Sequence, residues 1–157
     1  MATLDTQITE ARVLWLPACT KEEALGQLVD AVCRSTAVRD KVALQQAILS
    51  REVMMSTGLG YGVALPHARI AAVERFVVAM GVVPEGIAWG GGMDDDPVRL
   101  VAMIAGPDHE QAGYLRLLST LMKFIKSEKG RILAASTAEE VLRRAARYEV
   151  GDNAPAA

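Results

Sequence analysis

The sequence predicts an α/β fold: a single domain in which a mixed β-sheet is flanked by helices on both faces. Three observations carry that expectation. Short apolar or alternating runs read as strands, while longer stretches with apolar residues at three- and four-residue spacing read as helices. Their order is strand, two helices, a cluster of strands, then two helices, which is not the strict alternation of a doubly wound parallel sheet. The length of 157 residues suits one domain with a proper core, and no repeat or internal linker interrupts it.

The first element is "ARVLWL", residues 11–16, a short strand closed by Pro17. Thr20 with Glu23 three residues on forms a capping box. It opens a helix whose stripe is Leu25, Leu28, Val29 and Val32, flanked by Ala24 and Cys33. A second helix over about 39–52 takes its inner side from Val42, Leu44, Ala47, Ile48 and Leu49. A glycine stretch follows, and then "GVALPHARI" and "RFVVAMGVV" read as strands.

"EGIAWGGGMDDDP" reads as a loop with a short strand at Ile87 to Trp89. "VRLVAMIAG" is almost continuously apolar, as expected of a central strand buried on both faces. From about residue 110 a helix sets Leu115, Leu118, Met122 and Ile125 on one side. Thr137 with Glu140 caps a last helix, and the small, polar residues 149–157 form a tail expected to be disordered.

Bulk properties narrow the function classes. A net charge of −2, a pI near 5.7 and 4% aromatic residues lack the basic footprint of a nucleic-acid binder. No apolar run approaches the roughly 20 residues of a membrane span, so the protein is not expected to be membrane-embedded. The N-terminal stretch holds Asp5 and Glu10 and no unbroken apolar core, so it reads as no secretory signal, and a cytoplasmic setting is expected. Cys19 and Cys33 have no CxxC spacing and read as reduced thiols. Two cysteines and two distant histidines are poor material for a zinc site, and neither a metal nor a cofactor is expected. The adjacent Asp94, Asp95 and Asp96 lack the alternating ligand spacing of a calcium loop and read as a solvated acidic turn.

The chemistry concentrates in "REVMMSTGLGYGVALPHARI", residues 51–70. A nucleotide-binding glycine loop follows a strand and opens a helix, whose N-terminal amides hold the phosphates. Here a helix ends and the glycines lead into a strand, and no GK[ST] follows. Gly58, Gly60 and Gly62 therefore read as turn or close-packing residues. His67 stands at a strand end after Pro66. With one ring nitrogen bonded to a carbonyl, the other keeps a lone pair and can act as a nucleophile. Phosphoryl transfer would also need a cation and further donors, for which Arg51, Ser56 and Thr57 are the local candidates.

The stretch "SREVMMSTGLGYGVALPHAR" resembles the active-site segment of the enzyme IIA domain, mannitol/fructose type, of the phosphoenolpyruvate-dependent phosphotransferase system, a family that includes nitrogen-regulatory IIA proteins. The matching positions are Arg51, Glu52, Ser56, Thr57, Gly58, Gly60, Gly62 and Pro66-His67. "GIAWGGGMDDDPVRLVAMIAGP" and the helical end from Tyr114 extend the likeness over residues 8–148, leaving 1–7 as a flexible lead. The resemblance implies that the phosphocarrier HPr phosphorylates His67 on Nε2 and that Arg51 steadies the phosphoryl oxygens. It implies as partners HPr and either a IIB component or a regulated target.

The pattern breaks in two places. Where many members carry a second histidine, this chain has Tyr114, which can donate a hydrogen bond but cannot become cationic. His109 lies five residues earlier and reads as an exposed loop residue. The "GGGMDDDP" loop is also a residue or so longer than the pattern. The leading expectation is a phosphohistidine relay in a regulatory, nitrogen-type role, because no IIB-like cysteine signature and no membrane segment accompany it. The alternatives are a non-catalytic binding module with the same fold and, more weakly, a nucleotide-binding regulator using "GLGYG".

Overall fold

A computed structural model describes residues 2–9 and 13–151. The chain order is α1 (Leu4–Thr9), β1 (Val13–Trp15), α2 (Lys21–Val32), α3 (Lys41–Met54), β2 (Gly58–Gly60), β3 (Val63–Ala64), β4 (His67–Arg69), β5 (Val77–Ile87), β6 (Val98–Gly106), α4 (Gln111–Ala134) and α5 (Ala138–Ala145). The sheet order is β1-β5-β6-β3-β2, with β4 also paired to β6. β5 and β6 are antiparallel, whereas β1 runs parallel to β5, and β3 and β4 run parallel to β6. The sheet is mixed, as the sequence predicts.

β6 is the central strand. Its neighbours are β5 on one side and β3 and β4 on the other. Alternation along β5 and β6 sorts the core into two layers. Val77, Ala79, Val83, Val101, Met103 and Ala105 face α2 and α3, while Val78, Met80, Val82, Leu100, Ala102 and Ile104 face α1, α4 and α5. Thr20 completes the expected capping box on α2, and Asp40 and Thr137 cap α3 and α5 through their side chains. Among the described residues no helix is long and apolar enough to cross a membrane.

Several elements differ from the sequence reading. The lead assigned to residues 1–7 contains most of α1, whose Leu4 and Ile8 are fully buried. Six residues are too few for periodicity to announce a helix, and the backbone of residues 2–4 is tied to Tyr148 and Val150 near the chain's other end. Residues 149–151 are thus part of the fold at that end, while 152–157 of the expected disordered tail lie outside the described residues. On α3, Leu44 and Ile48 are buried, but Val42 and Leu49 are exposed on the opposite face. On α4 the buried stripe is Leu117, Leu121, Phe124, Ile125 and Ile132, and Leu115 is 52% exposed. Both helices carry apolar residues on more than one face, so composition alone does not orient them. Ile87 ends β5 rather than starting a strand of its own, and Trp89 is buried beyond it.

The single run expected at "GVALPHARI" is two strands that both pair with β6, interrupted at Leu65-Pro66. Gly58–Gly60 themselves form β2, antiparallel to β3. Tyr61 and Gly62, with φ of 56° and 79°, close this hairpin. Positive φ at both turn residues matches the right-handed twist of the flanking strands. The Tyr61 amide also donates to Asp94 Oδ2 at 3.0 Å, so one residue of the acidic turn braces the hairpin.

Candidate functional site

His67 opens β4 at the point where the interrupted strand resumes beside Ile104 of β6. Pro66 has no amide hydrogen, but its carbonyl accepts from Ile104 N at 3.0 Å and keeps the interruption in register. The His67 Nδ1–H donates to the Leu65 carbonyl at 3.0 Å. That bond selects the tautomer with the proton on Nδ1 and leaves the Nε2 lone pair free. Nε2 has no hydrogen-bond partner among the described residues.

The imidazole lines a recess of about 300 Å³ together with Ala47, Arg51, Ala68, Arg69 and Tyr114. Arg51 arrives from the last turn of α3 and Tyr114 from the first turn of α4. Tyr114 lies with its ring centroid 5.7 Å from that of His67, and the Phe76 ring stacks on Tyr114 at 6.5 Å. Burial pushes the Tyr114 phenol above its usual pKa against the opposing pull of Arg69 and Arg51, so it stays protonated and able to donate. Gly106 leaves the space for the Phe76 ring, since a Cβ there would overlap it.

Arg69 is a residue of this site that the sequence reading did not single out. Its guanidinium carbon lies 4.9 Å from the centre of the Tyr114 ring, and Nη2 donates to Gln111 Oε1 at 2.9 Å. The available signal was alternation: His67 and Arg69 are two apart on one strand and project from the same face. Among the described residues neither Arg51 nor Arg69 has a carboxylate within ion-pair distance. The recess is therefore cationic and has no anion of its own.

Ser56 and Thr57, expected to contact phosphate, do not line this recess. Thr57 is buried and committed to Glu52: its amide donates to Oε2 at 2.9 Å and its hydroxyl to Oε1 at 2.5 Å. Ser56 Oγ accepts from Gly58 N at 3.2 Å. Glu52 further accepts from Trp89 Nε1 at 3.1 Å and pairs with Lys21 Nζ at 2.8 Å. Burial alone would raise its pKa, but the hydrogen bonds from Lys21 and Thr57 outweigh it and hold the carboxyl below its usual value. This cluster anchors the end of α3 beside the hairpin, and so sets where Arg51 emerges. His109 is exposed beside Asp108 on the loop before α4 and does not line the recess. Cys19 and Cys33 are unpaired and half-buried, and burial raises both thiol pKa values.

An imidazole with Nδ1 held by a carbonyl and Nε2 without a partner thus shares a recess of this α/β domain with two guanidinium groups that have no carboxylate among the described residues. Residues 8–146 match the family model described as "Phosphoenolpyruvate-dependent sugar phosphotransferase system, EIIA 2", and the chain belongs to that family. The chain is 35% identical over 127 residues to the "PTS system fructose-specific EIIA component" of Haloferax volcanii, covering 80% of this chain and 82% of that one. It is 27% identical over 128 residues to a "Nitrogen regulatory protein" of Bradyrhizobium diazoefficiens, covering 82% of each. Among solved structures, the nitrogen regulatory protein IIA-Ntr of Neisseria meningitidis superposes with a TM-score of 0.80 at 24% identity, covering 89% of this chain and 97% of that one. The mannitol IIA of Escherichia coli, solved in complex with phosphorylated IIB, superposes with a TM-score of 0.73 at 26% identity, covering 87% and 95%.

Proposed function

We propose that the protein is a phosphohistidine carrier of the phosphotransferase system, taking a phosphoryl group from HPr on His67 Nε2. The observation that carries this reading is the Nδ1 hydrogen bond to the Leu65 carbonyl, which leaves Nε2 free in a cationic recess. In the transfer, the Nε2 lone pair attacks phosphorus as the N–P bond of the donor phosphohistidine breaks. The bonding pair returns to the donor imidazole, and the His67 proton stays on Nδ1 against the carbonyl. Arg51 stabilises the phosphoryl oxygens, and the protonated Tyr114 hydroxyl is a further donor at the rim.

The onward partner in this reading is a IIB component or a regulated target, in the cytoplasm. Kinship with a nitrogen regulatory protein supports a regulatory destination. Higher identity to a fructose-specific IIA component supports sugar transport as the second destination. Either way, phosphorylation makes the recess more negative and strengthens docking of a basic partner surface while weakening that of an acidic one.

The test is intact mass after incubation with phosphoenolpyruvate, enzyme I and HPr, beside a His67→Ala variant. One acid-labile phosphoryl group on the wild type and none on the variant is the expected result. No gain on folded wild type, with HPr itself phosphorylated, overturns the relay. It favours instead a non-catalytic binding module, which Tyr114 in place of a second histidine would suit.

A further inference from the structure

We propose that Arg69 is the second phosphate-holding cation of the site, gripping the phosphoryl group on His67 through a guanidinium nitrogen that has no hydrogen-bond partner in the resting protein. This rests on the carrier reading above and assigns a residue role within it.

Three features of Arg69 converge. Its placement on β4, two residues after His67, sends both side chains to the face of the sheet where α4 begins. Its orientation is set from two directions: the Tyr114 ring lies under the guanidinium plane, and Gln111 Oε1 takes Nη2. Its Nη1 is buried and has no hydrogen-bond partner. A buried charged donor without an acceptor is costly, and native proteins rarely keep one where nothing is meant to fill it. Among the described buried side chains, Nη1 of Arg69 is the one nitrogen or oxygen in that state.

The missing acceptor is an oxyanion. Arg51, Arg69, His67 and Tyr114 bring two positive charges and no carboxylate to the recess. A phosphoryl group presents three anionic oxygens, more acceptors than the one guanidinium of Arg51 can pair with its fork, so a second guanidinium has oxygens left to meet. A guanidinium presents paired N–H donors at the spacing of phosphate oxygens, which a point-charge ammonium cannot reproduce. Tyr114 supplies a hydroxyl and a ring but no charge, so its contribution is to hold Arg69 flat rather than to replace it. On phosphorylation the guanidinium edge at Nη1 turns to the phosphoryl oxygens, and the unpaired donor gains its partner.

The experiment compares wild type with Arg69→Gln and Arg69→Lys, each phosphorylated through enzyme I and HPr and followed by mass and by ³¹P NMR against pH. The expected result is about a tenfold fall in the equilibrium ratio of phosphorylated to free protein for Arg69→Gln, with Arg69→Lys between it and wild type. The phosphohistidine signal of Arg69→Gln also titrates at higher pH, because the dianion has lost a cation. A purely structural role would leave that titration unmoved. Wild type that is phosphorylated, with Arg69→Gln matching it in both readouts, overturns this inference and leaves the carrier reading intact. Wild type that takes up no phosphoryl group overturns both. If Arg69→Gln does not fold, Arg69→Lys decides, since it keeps the charge and loses the fork. Equal phosphorylation and equal titration in that variant overturn a guanidinium-specific grip.

Discussion

Two arginines in this molecule sit beside tyrosines, and their surroundings differ in one respect. Arg144 of α5 reaches Glu128 of α4 with Nε at 2.9 Å and Nη2 at 3.1 Å, while the Tyr148 hydroxyl donates to the same carboxylate at 2.9 Å. Arg69 of β4 lies over Tyr114 with a neutral amide at one donor and nothing at another. The first arginine has been given its anion by the fold, so its charge is spent on joining two helices. The second has been given everything but an anion. A satisfied guanidinium marks a structural contact, whereas an oriented one without an acceptor keeps donor capacity that the fold itself does not use.

The largest expected effect breaks the satisfied side of this comparison. Glu128→Gln removes the carboxylate that holds Arg144, and should lower the thermal midpoint by several degrees, the largest stability loss among these variants. A scan followed by circular dichroism measures it.

The same pair has a pH signature. Hydrogen bonding from Arg144, working against burial, depresses the Glu128 carboxyl to about 2. A folded-state pKa below the unfolded value means its stability contribution is complete above about pH 5 and is lost as pH falls toward 2. Urea midpoints at pH 7 and pH 3 should therefore converge for wild type and Glu128→Gln as the medium becomes acidic. A gap that stays constant would exclude the ion pair as its source.

A smaller effect probes the unsatisfied side. Arg51→Gln should leave stability within about 0.5 kcal/mol, since no ion pair is broken, and slow phosphoryl uptake from HPr by about 10- to 100-fold. Uptake is read by rapid quench and mass. The smallest effect belongs to Tyr114→Phe, which keeps the ring beneath Arg69 and removes only the hydroxyl. Uptake should fall by less than about fivefold. A fall as large as that of Arg51→Gln would make the hydroxyl, and not the ring, the important part of Tyr114.

Much of this was legible in the chain. The nearly unbroken apolar run at 98–106 could only be a strand covered on both sides, and it is the centre of the sheet. Capping residues Thr20 and Thr137 announced two helix starts because their signal is local. A histidine at a strand end is by default a satisfied structural residue, and it is the contiguous Ser-Thr-Gly to Pro-His motif that singles out His67. What misled was amphipathicity with apolar residues on two faces: Val42, Leu49 and Leu115 look like core and are exposed. Ser56 and Thr57 are a different case, lying outside the recess of His67. Their hydroxyls suit a phosphate, but Glu52, five residues before Thr57, claims the threonine first.

The sequence by itself determined the succession of helical and strand regions from β1 onward, the mixed sheet, the histidine and the family, because those depend on periodicity, caps and a contiguous motif, whereas α1 and the split of β3 from β4 escaped it. Only the tertiary structure decided which charges were spent. Arg51, Arg69 and Arg144 look alike in a line of letters. Whether a guanidinium meets a carboxylate depends on contacts between elements far apart in the chain, such as α4 with α5 or β4 with the start of α4. Glu128 comes within reach of Arg144, and no carboxylate among the described residues comes within reach of Arg69.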